Sequence, residues 1–288
     1  MYKYLSSFFE EILTSPSLKM THVALLNDIE EEKTHENYSQ LITRLPAIPL
    51  IINEYKRQFP SKSEAELIHI AKERSLQVIN EEIQRKGVIS LCTNPLNDMM
   101  WGLYANAQKG VCVEYDITNL CSQNELHKVT YCNSKYDIKN FHPIDKSLPY
   151  LWKFVTTTAL TRKKESWSKE EEFRFIIDLH YADRIIAIKP SEELKSSLSK
   201  HKHLYEEHND GSLTIEPYGS VDLHHIARHP EVLCLKKLNK NDIKSICFGE
   251  KAPQEHIEKA KDIITKVTEL KHVELYKYIN GRRTKVDF

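Results

Sequence analysis

Glycine is scarce in this chain, with seven in 288 residues. It contains neither a G-x-x-x-x-G-K-[ST] run nor a G-x-G-x-x-G run, so both glycine-rich phosphate cradles are missing. Net charge is missing too, because 41 Lys and Arg are matched by 41 Asp and Glu. A general duplex-binding protein needs a basic surface to neutralise phosphates, and this balance leaves room only for local patches. The six cysteines, at 92, 112, 121, 132, 234 and 247, include no C-x-x-C pair. The opening MYKYLSSFFEEIL lacks the basic start, apolar run and small-residue cleavage site of a secretory signal. The expectation is a cytoplasmic protein with reduced, mostly buried thiols. The longest apolar run, LPAIPLII, is too short to span a membrane and carries two prolines.

What is present is enough for a substantial core, at 40% hydrophobic residues. MYKYL reads as a strand with Tyr2 and Tyr4 on one face and Lys3 on the other. A short helix is expected over Ser7 to Leu13, and LKMTHVALL reads as a second strand. Residues 31–87 read as helical. Ser63 and Glu66 make a capping box, Leu67, Ile70, Ala71, Val78, Ile79 and Ile83 recur at helical spacing, and Arg85, Lys86 and Gly87 supply the stop. VISLC and VCVEYDI read as strands around a helix running from Asn97 or Asp98 to Gly110. A helix over about 147–163 follows. FRFIIDL, RIIAIKP, LTIEP, VLCLKKL, IKSICFG and VELYKYI read as later strands, with a helix over PQEHIEKAKDIITKVTEL. Helices come early and strands late without regular alternation, which favours an α+β fold. The expected organisation is one domain, 1–288, with 31–87 as a helical insertion.

Residues 167–175 read WSKEEEFRF. A strand over 170–179 puts Phe173, Phe175, Ile177 and Leu179 on a core face with Glu171. Glu170, Glu172 and Arg174 then share the opposite face, where Arg174 holds Glu172 ionised. One reading is a solvated strand end with an ion pair worth under about 1 kcal/mol. The other is a catalytic E-x-E edge, since a fixed carboxylate stabilises an oxocarbenium-like state at a sugar carbon. Both stand at this point.

The stretch from Trp167 to Arg174 resembles the W-x-x-E-x-E-[WF]-R signature of a bacterial family known as domain of unknown function 2971. MYKYL, LKMTHVALLND, the SLCTNPLNDMMWGLYANAQKGVCVEYD block and IKSICFG resemble further blocks of that family in the same order, over about residues 2 to 250. One departure is that Ile29, Glu30 and Glu31 follow Asn27-Asp28 where the family usually continues Pro-Phe-Asp.

More loosely, the chain resembles ADP-ribosyltransferases. These carry a polar or aromatic residue on a first strand, Ser/Thr or Tyr on a second, and E-x-E or Q-x-E before a later one. Tyr2, Lys3 and Tyr4, then Thr21, then Glu170 and Glu172 occur in that order. The resemblance implies an ADP-ribosyltransferase-like mixed or antiparallel β core and NAD as substrate. Glu172 would stabilise the oxocarbenium as nicotinamide leaves, and Glu170 would orient or deprotonate the acceptor. Trp101 or Tyr104 would stack on nicotinamide, and Arg174 would complete the cofactor-binding set. It also implies a toxin-like effector acting on a macromolecular acceptor, protein or nucleic acid, in antiviral defence or beside a neutralising partner protein.

Alternatives stay open. Trp101 and Tyr104, three apart on one helix face, read equally as core packing. A non-catalytic binding or sensor module would keep the fold and no turnover. A metal-dependent nuclease would want a lysine where Arg174 stands, and arginine does not act as a base. His224, His225 and His229 form a cluster in which His225 and His229 have helical metal-ligand spacing, but Pro230 ends any helix there. The basic tail NGRRTKVDF reads as a solvated end or a nucleic-acid contact.

Overall fold

The computed structural model describes residues 1–27, 48–132, 148–199, 204–216 and 223–287. Ile29, Glu30 and Glu31, and the first part of the expected helical insertion, lie outside them. The fold is α+β, built on a large, mostly antiparallel sheet with helices packed around it.

The first strands are β1 (Tyr2–Leu5), β2 (Ser17–His22), β3 (Lys86–Cys92) and β4 (Val111–Tyr115). The short strands β5 (Leu126–Lys128), β6 (Thr130–Cys132) and β7 (Arg162–Lys164) precede β8 (Glu172–Asp178). Then come β9 (Arg184–Ala187), β10 (Tyr205–Glu207), β11 (Leu213–Ile215), β12 (Val232–Lys237), β13 (Ile243–Phe248), β14 (Glu274–Ile279) and β15 (Arg282–Lys285). The main order is β10-β11-β9-β12-β2-β3-β1-β4-β13-β14-β15, with β8 on β3 and β5 on β8. Its pairs are antiparallel except β13 with β14. The α-helices are α1 (Glu11–Thr14), α2 (Ile48–Gln58), α3 (Glu64–Gln84), α4 (Asp98–Leu103), α5 (Thr118–Cys121), α6 (Leu148–Leu160), α7 (Glu192–Leu198), α8 (Leu223–Ala227) and α9 (Gln254–Lys266).

The feature that positions the site is a fork at β3. One edge of β3 pairs with β8 along its whole length, from Lys86↔Asp178 to Cys92↔Glu172. The other edge meets β2 at Thr21↔Val88 and His22↔Gly87, and β1 only at Tyr2↔Cys92. Between these contacts β1 and β2 part. Because residues in register share a face, Thr21, Ser90, Cys92, Tyr2, Glu172 and Arg174 all point to one side of the sheet.

Helix α3 starts as its sequence dictates. The Ser63 Oγ accepts from Glu66 N, and the Glu66 carboxylate accepts from Ser63 N at 2.8 Å. Leu67, Ala71, Ile79 and Ile83 form its buried stripe, whereas Val78 is exposed. The expected stop is corrected, because Gly87 lies inside β3 and not at a helix end. A Cβ there would meet Met20 Cβ at 2.7 Å, so glycine permits the close approach of β2. Helix α4 is shorter than expected. It ends at Leu103, and Asn106, Ala107 and Gln108 follow with positive φ. The basic tail is largely exposed, and part of it forms an edge strand. Asn280 and Gly281, with φ of 48° and 75°, form the two-residue turn that returns the chain as β15. The metal spacing is not realised on a helix, since α8 ends at Ala227, before His229.

The expected strand over 170–179 changes at both ends. Glu170 closes a 3-10 turn, Glu165–Glu170, and β8 begins only at Glu172. Glu171 adopts a left-handed φ of 48° and is exposed, not part of the core face. Its carboxylate accepts from Thr93 Oγ1 at 3.2 Å. Leu179 starts a further 3-10 turn.

Candidate active site

A cavity of about 290 Å3 opens at the fork. Tyr2, Lys3, Tyr4, Thr21, Tyr104, Glu170, Glu172 and Arg174 all line it. Trp101 does not, which corrects its assignment as a nicotinamide platform. It is 0% exposed. It stacks on Tyr278 at 4.8 Å, meets Tyr4 edge-on at 5.2 Å, and donates its Nε1–H to Pro95 O at 3.0 Å. Its part is to hold Tyr4 and α4 in place behind the pocket wall.

The E-x-E motif closes around a residue outside it. Lys163, on β7, donates to Glu170 Oε2 at 2.6 Å and to Glu172 Oε2 at 3.3 Å. Its ammonium also sits 4.8 Å from the centre of the Trp167 ring, a favourable cation–π distance. Arg174 grips Glu172 with two bonds, Nε to Oε1 at 2.8 Å and a terminal nitrogen to Oε2 at 3.0 Å. Its other terminal nitrogen donates to Leu160 O at 2.7 Å, at the end of α6. Tyr104 Oη donates to Glu170 Oε1 at 2.5 Å. Trp167, Glu170 and Glu172 of the signature are therefore the walls of a cage for one lysine, and its Arg174 braces Glu172. Lys163, Glu170 and Glu172 are only 4%, 3% and 6% exposed, so the charges survive burial by pairing with one another.

Backbone contacts fix the cage. Glu172 N donates to Tyr131 Oη at 2.9 Å, and Val129 N donates to Glu172 O at 3.0 Å. Asn97 caps α4 by accepting from Met99 N at 3.1 Å, and its amide donates to Lys169 O, tying α4 to the turn that carries Glu170. The left-handed Glu171 turns the chain between the two glutamates. Both carboxylates thereby reach Lys163 although they sit on different elements.

Electrostatics follow from this geometry. Burial alone would raise the Glu172 pKa, but Arg174 and then Lys163 outweigh it and hold the carboxyl below its usual value. Tyr104 is pushed up by burial and then by its bond to Glu170. Lys3 is pushed down by burial, against the pull of Glu172, and Lys19 is pushed down by burial as well. Lys3 donates to Ser90 O at 2.8 Å, in the gap left by the parting strands. Cys92 also lines the cavity, and burial raises its thiol to about 11, which keeps it protonated at neutral pH. Among the described residues no group of three or more His, Cys, Asp or Glu is arranged to hold a metal.

Sequence reasoning missed Lys163, Lys19, Ser90 and Asn27, which also line the cavity. Lys163 had a faint signal. It is the middle of the basic triplet Arg162-Lys163-Lys164, where strand alternation turns one residue away from its neighbours.

Residues 100–175 match the family described as "Protein of unknown function (DUF2971)". The match runs from α4 through the E-x-E motif, so the resemblance read from the signature holds over that stretch. No curated protein and no solved structure matches the chain.

Proposed function

We propose that the forked sheet is an ADP-ribosyltransferase-like core and that its pocket transfers ADP-ribose from NAD to a macromolecular acceptor. The observation that carries this reading is the gathering of first-strand, second-strand and E-x-E residues around one cavity. In the proposed reaction the bond between the ribose anomeric carbon and nicotinamide breaks, and its electron pair leaves with nicotinamide. The Glu172 carboxylate stabilises the developing positive charge. An acceptor oxygen or nitrogen attacks the same carbon, and Glu170 takes up its proton. A cavity of about 290 Å3 suits a nicotinamide–ribose end and not a whole dinucleotide. Tyr104, and Tyr2 or Tyr4, are the aromatic groups at hand for nicotinamide. A toxin-like role against a cellular protein or nucleic acid, in defence or beside a neutralising partner, belongs to the same proposal.

The test is labelled NAD with whole-cell lysate, wild type beside Glu172→Gln. Loss of one charge-stabilising group should lower label transfer by about 10²- to 10³-fold. Equal transfer by the variant would refute the reading. A second reading, a binding module without turnover, is favoured by one observation: Arg174 and Lys163 already engage both oxygens of Glu172. It predicts no NAD consumption by either protein.

A further inference from the structure

Among the described residues the cavity has more positive than negative side chains. Lys3, Lys19, Lys163 and Arg174 line it with Glu170 and Glu172. The excess is not spread evenly. Lys163 and Arg174 are spent on the two glutamates. Lys3 has only a neutral carbonyl, Ser90 O, as hydrogen-bond acceptor. Among the described residues no carboxylate or hydrogen-bond acceptor pairs with Lys19.

Lys3 and Lys19 come from β1 and β2, the two strands that part at the fork. Each feels the cost of burial, and the charge on Lys19 lowers the pKa of Lys3 further. Glu172 answers part of the charge on Lys3, but it is already paired with Arg174 and Lys163, so two neighbouring, partly buried ammonium groups remain under-compensated. The arrangement is relieved by an anion between them. Among the described residues the guanidinium lining this cavity, that of Arg174, is already locked on Glu172. Two lysine point charges remain. A phosphoryl group answers them better than a carboxylate does, because it carries about two negative charges at neutral pH and three acceptor oxygens.

We propose that Lys3 and Lys19 form a phosphoryl-binding subsite at the fork, so that the pocket's ligand is a phosphorylated compound. Its phosphoryl group lies at the lysine end and its reacting carbon at the glutamate end. The proposal uses the same cavity as the NAD reading but does not depend on it, since a phosphoryl group is recognised whether or not a nicotinamide is attached.

The test is calorimetric titration with inorganic pyrophosphate at constant ionic strength, using wild type, Lys19→Met and Lys19→Arg. Lys19 has no described partner to lose, so Lys19→Met should fold, and its unfolding midpoint checks this. The loss of one charge-assisted contact should weaken pyrophosphate binding by about 10- to 100-fold, with most of it retained in Lys19→Arg. Acetate should not compete. Equal binding by wild type and Lys19→Met, binding by neither, or equal competition by acetate would each overturn the proposal. Lys19-dependent pyrophosphate binding without NAD consumption would sink the NAD reading and leave this subsite standing. NAD consumption with an unchanged KM in Lys19→Met would do the reverse.

Discussion

Replacing Lys163 by methionine should destabilise the protein strongly. Methionine keeps the length and apolar stem and removes the charge. The ammonium lies 2.6 Å from Glu170 Oε2 and 3.3 Å from Glu172 Oε2. At an effective dielectric of about 20, those distances correspond to gross attractions of about 6 and about 5 kcal/mol. Burying the ions costs several kcal/mol each and cancels much of this. What the mutation exposes is the uncompensated remainder: two carboxylates facing each other, with Arg174 committed to Glu172 and only Tyr104 on Glu170. Breaking a buried pair in this way costs about 3–5 kcal/mol, and that is the loss expected in urea unfolding at pH 7. The pH dependence has a definite sign. Two like charges without their shared cation resist joint ionisation, so the folded variant holds a proton to higher pH than the unfolded chain. The deficit should therefore be largest at neutral pH and shrink toward the acid side. Lys163→Met combined with Glu170→Gln should recover most of the loss, because one buried charge is gone. A single variant that loses less than about 1 kcal/mol, or a double variant no better than the single, would refute the cage argument.

Two further outcomes can be measured on the same footing. His22 is 1% exposed, and burial, with Arg228, His224 and His225 nearby, holds its imidazole at about 4 against an ordinary 6.5, while the Gln84 backbone pulls the other way. The folded value lies below the unfolded one, so this contribution to stability is complete above pH 6.5 and is lost as the pH falls through 4. The loss should total about 3 kcal/mol. Denaturant unfolding at several pH values should show a shallower acid limb for His22→Asn, and parallel limbs would contradict the assignment. In Gly110→Ala the new Cβ would come within 2.0 Å of the Leu5 carbonyl oxygen, where β1 ends against the start of β4. Backbone must move to admit it, which should cost about 3 kcal/mol or more. An unchanged thermal midpoint would show that the junction is looser than described.

Much of the fold was legible because it is written in local rules. The strand-like runs IKSICFG and VELYKYI, the capping box at Ser63 and Glu66, and the Asn97 cap each depend on neighbours within a few residues. Each lies where local chemistry puts it. The Asn280-Gly281 turn obeyed the same kind of rule, although its flanking charges made it read as a tail. The E-x-E pair was also legible as a pair. Its two carboxylates do share a site, although the left-handed Glu171 places Glu170 on a turn and not on the strand.

The arrangement of the candidate site was not local. The fork exists because β3, at 86–92, is shared by strands drawn from 2–5, 17–22 and 172–178. No period within any one of those segments encodes that sharing. Lys163, the shared cation, and Lys19, without a partner among the described residues, looked like ordinary basic residues of their local segments. Trp101, which read either as core packing or as a pocket wall, is core because Tyr278 arrives from the far end of the chain to cover it. Residue type and spacing determined which strands and helices form and which glutamates pair. Only the tertiary structure decided which charges those glutamates meet, because burial and register between distant segments set the partners.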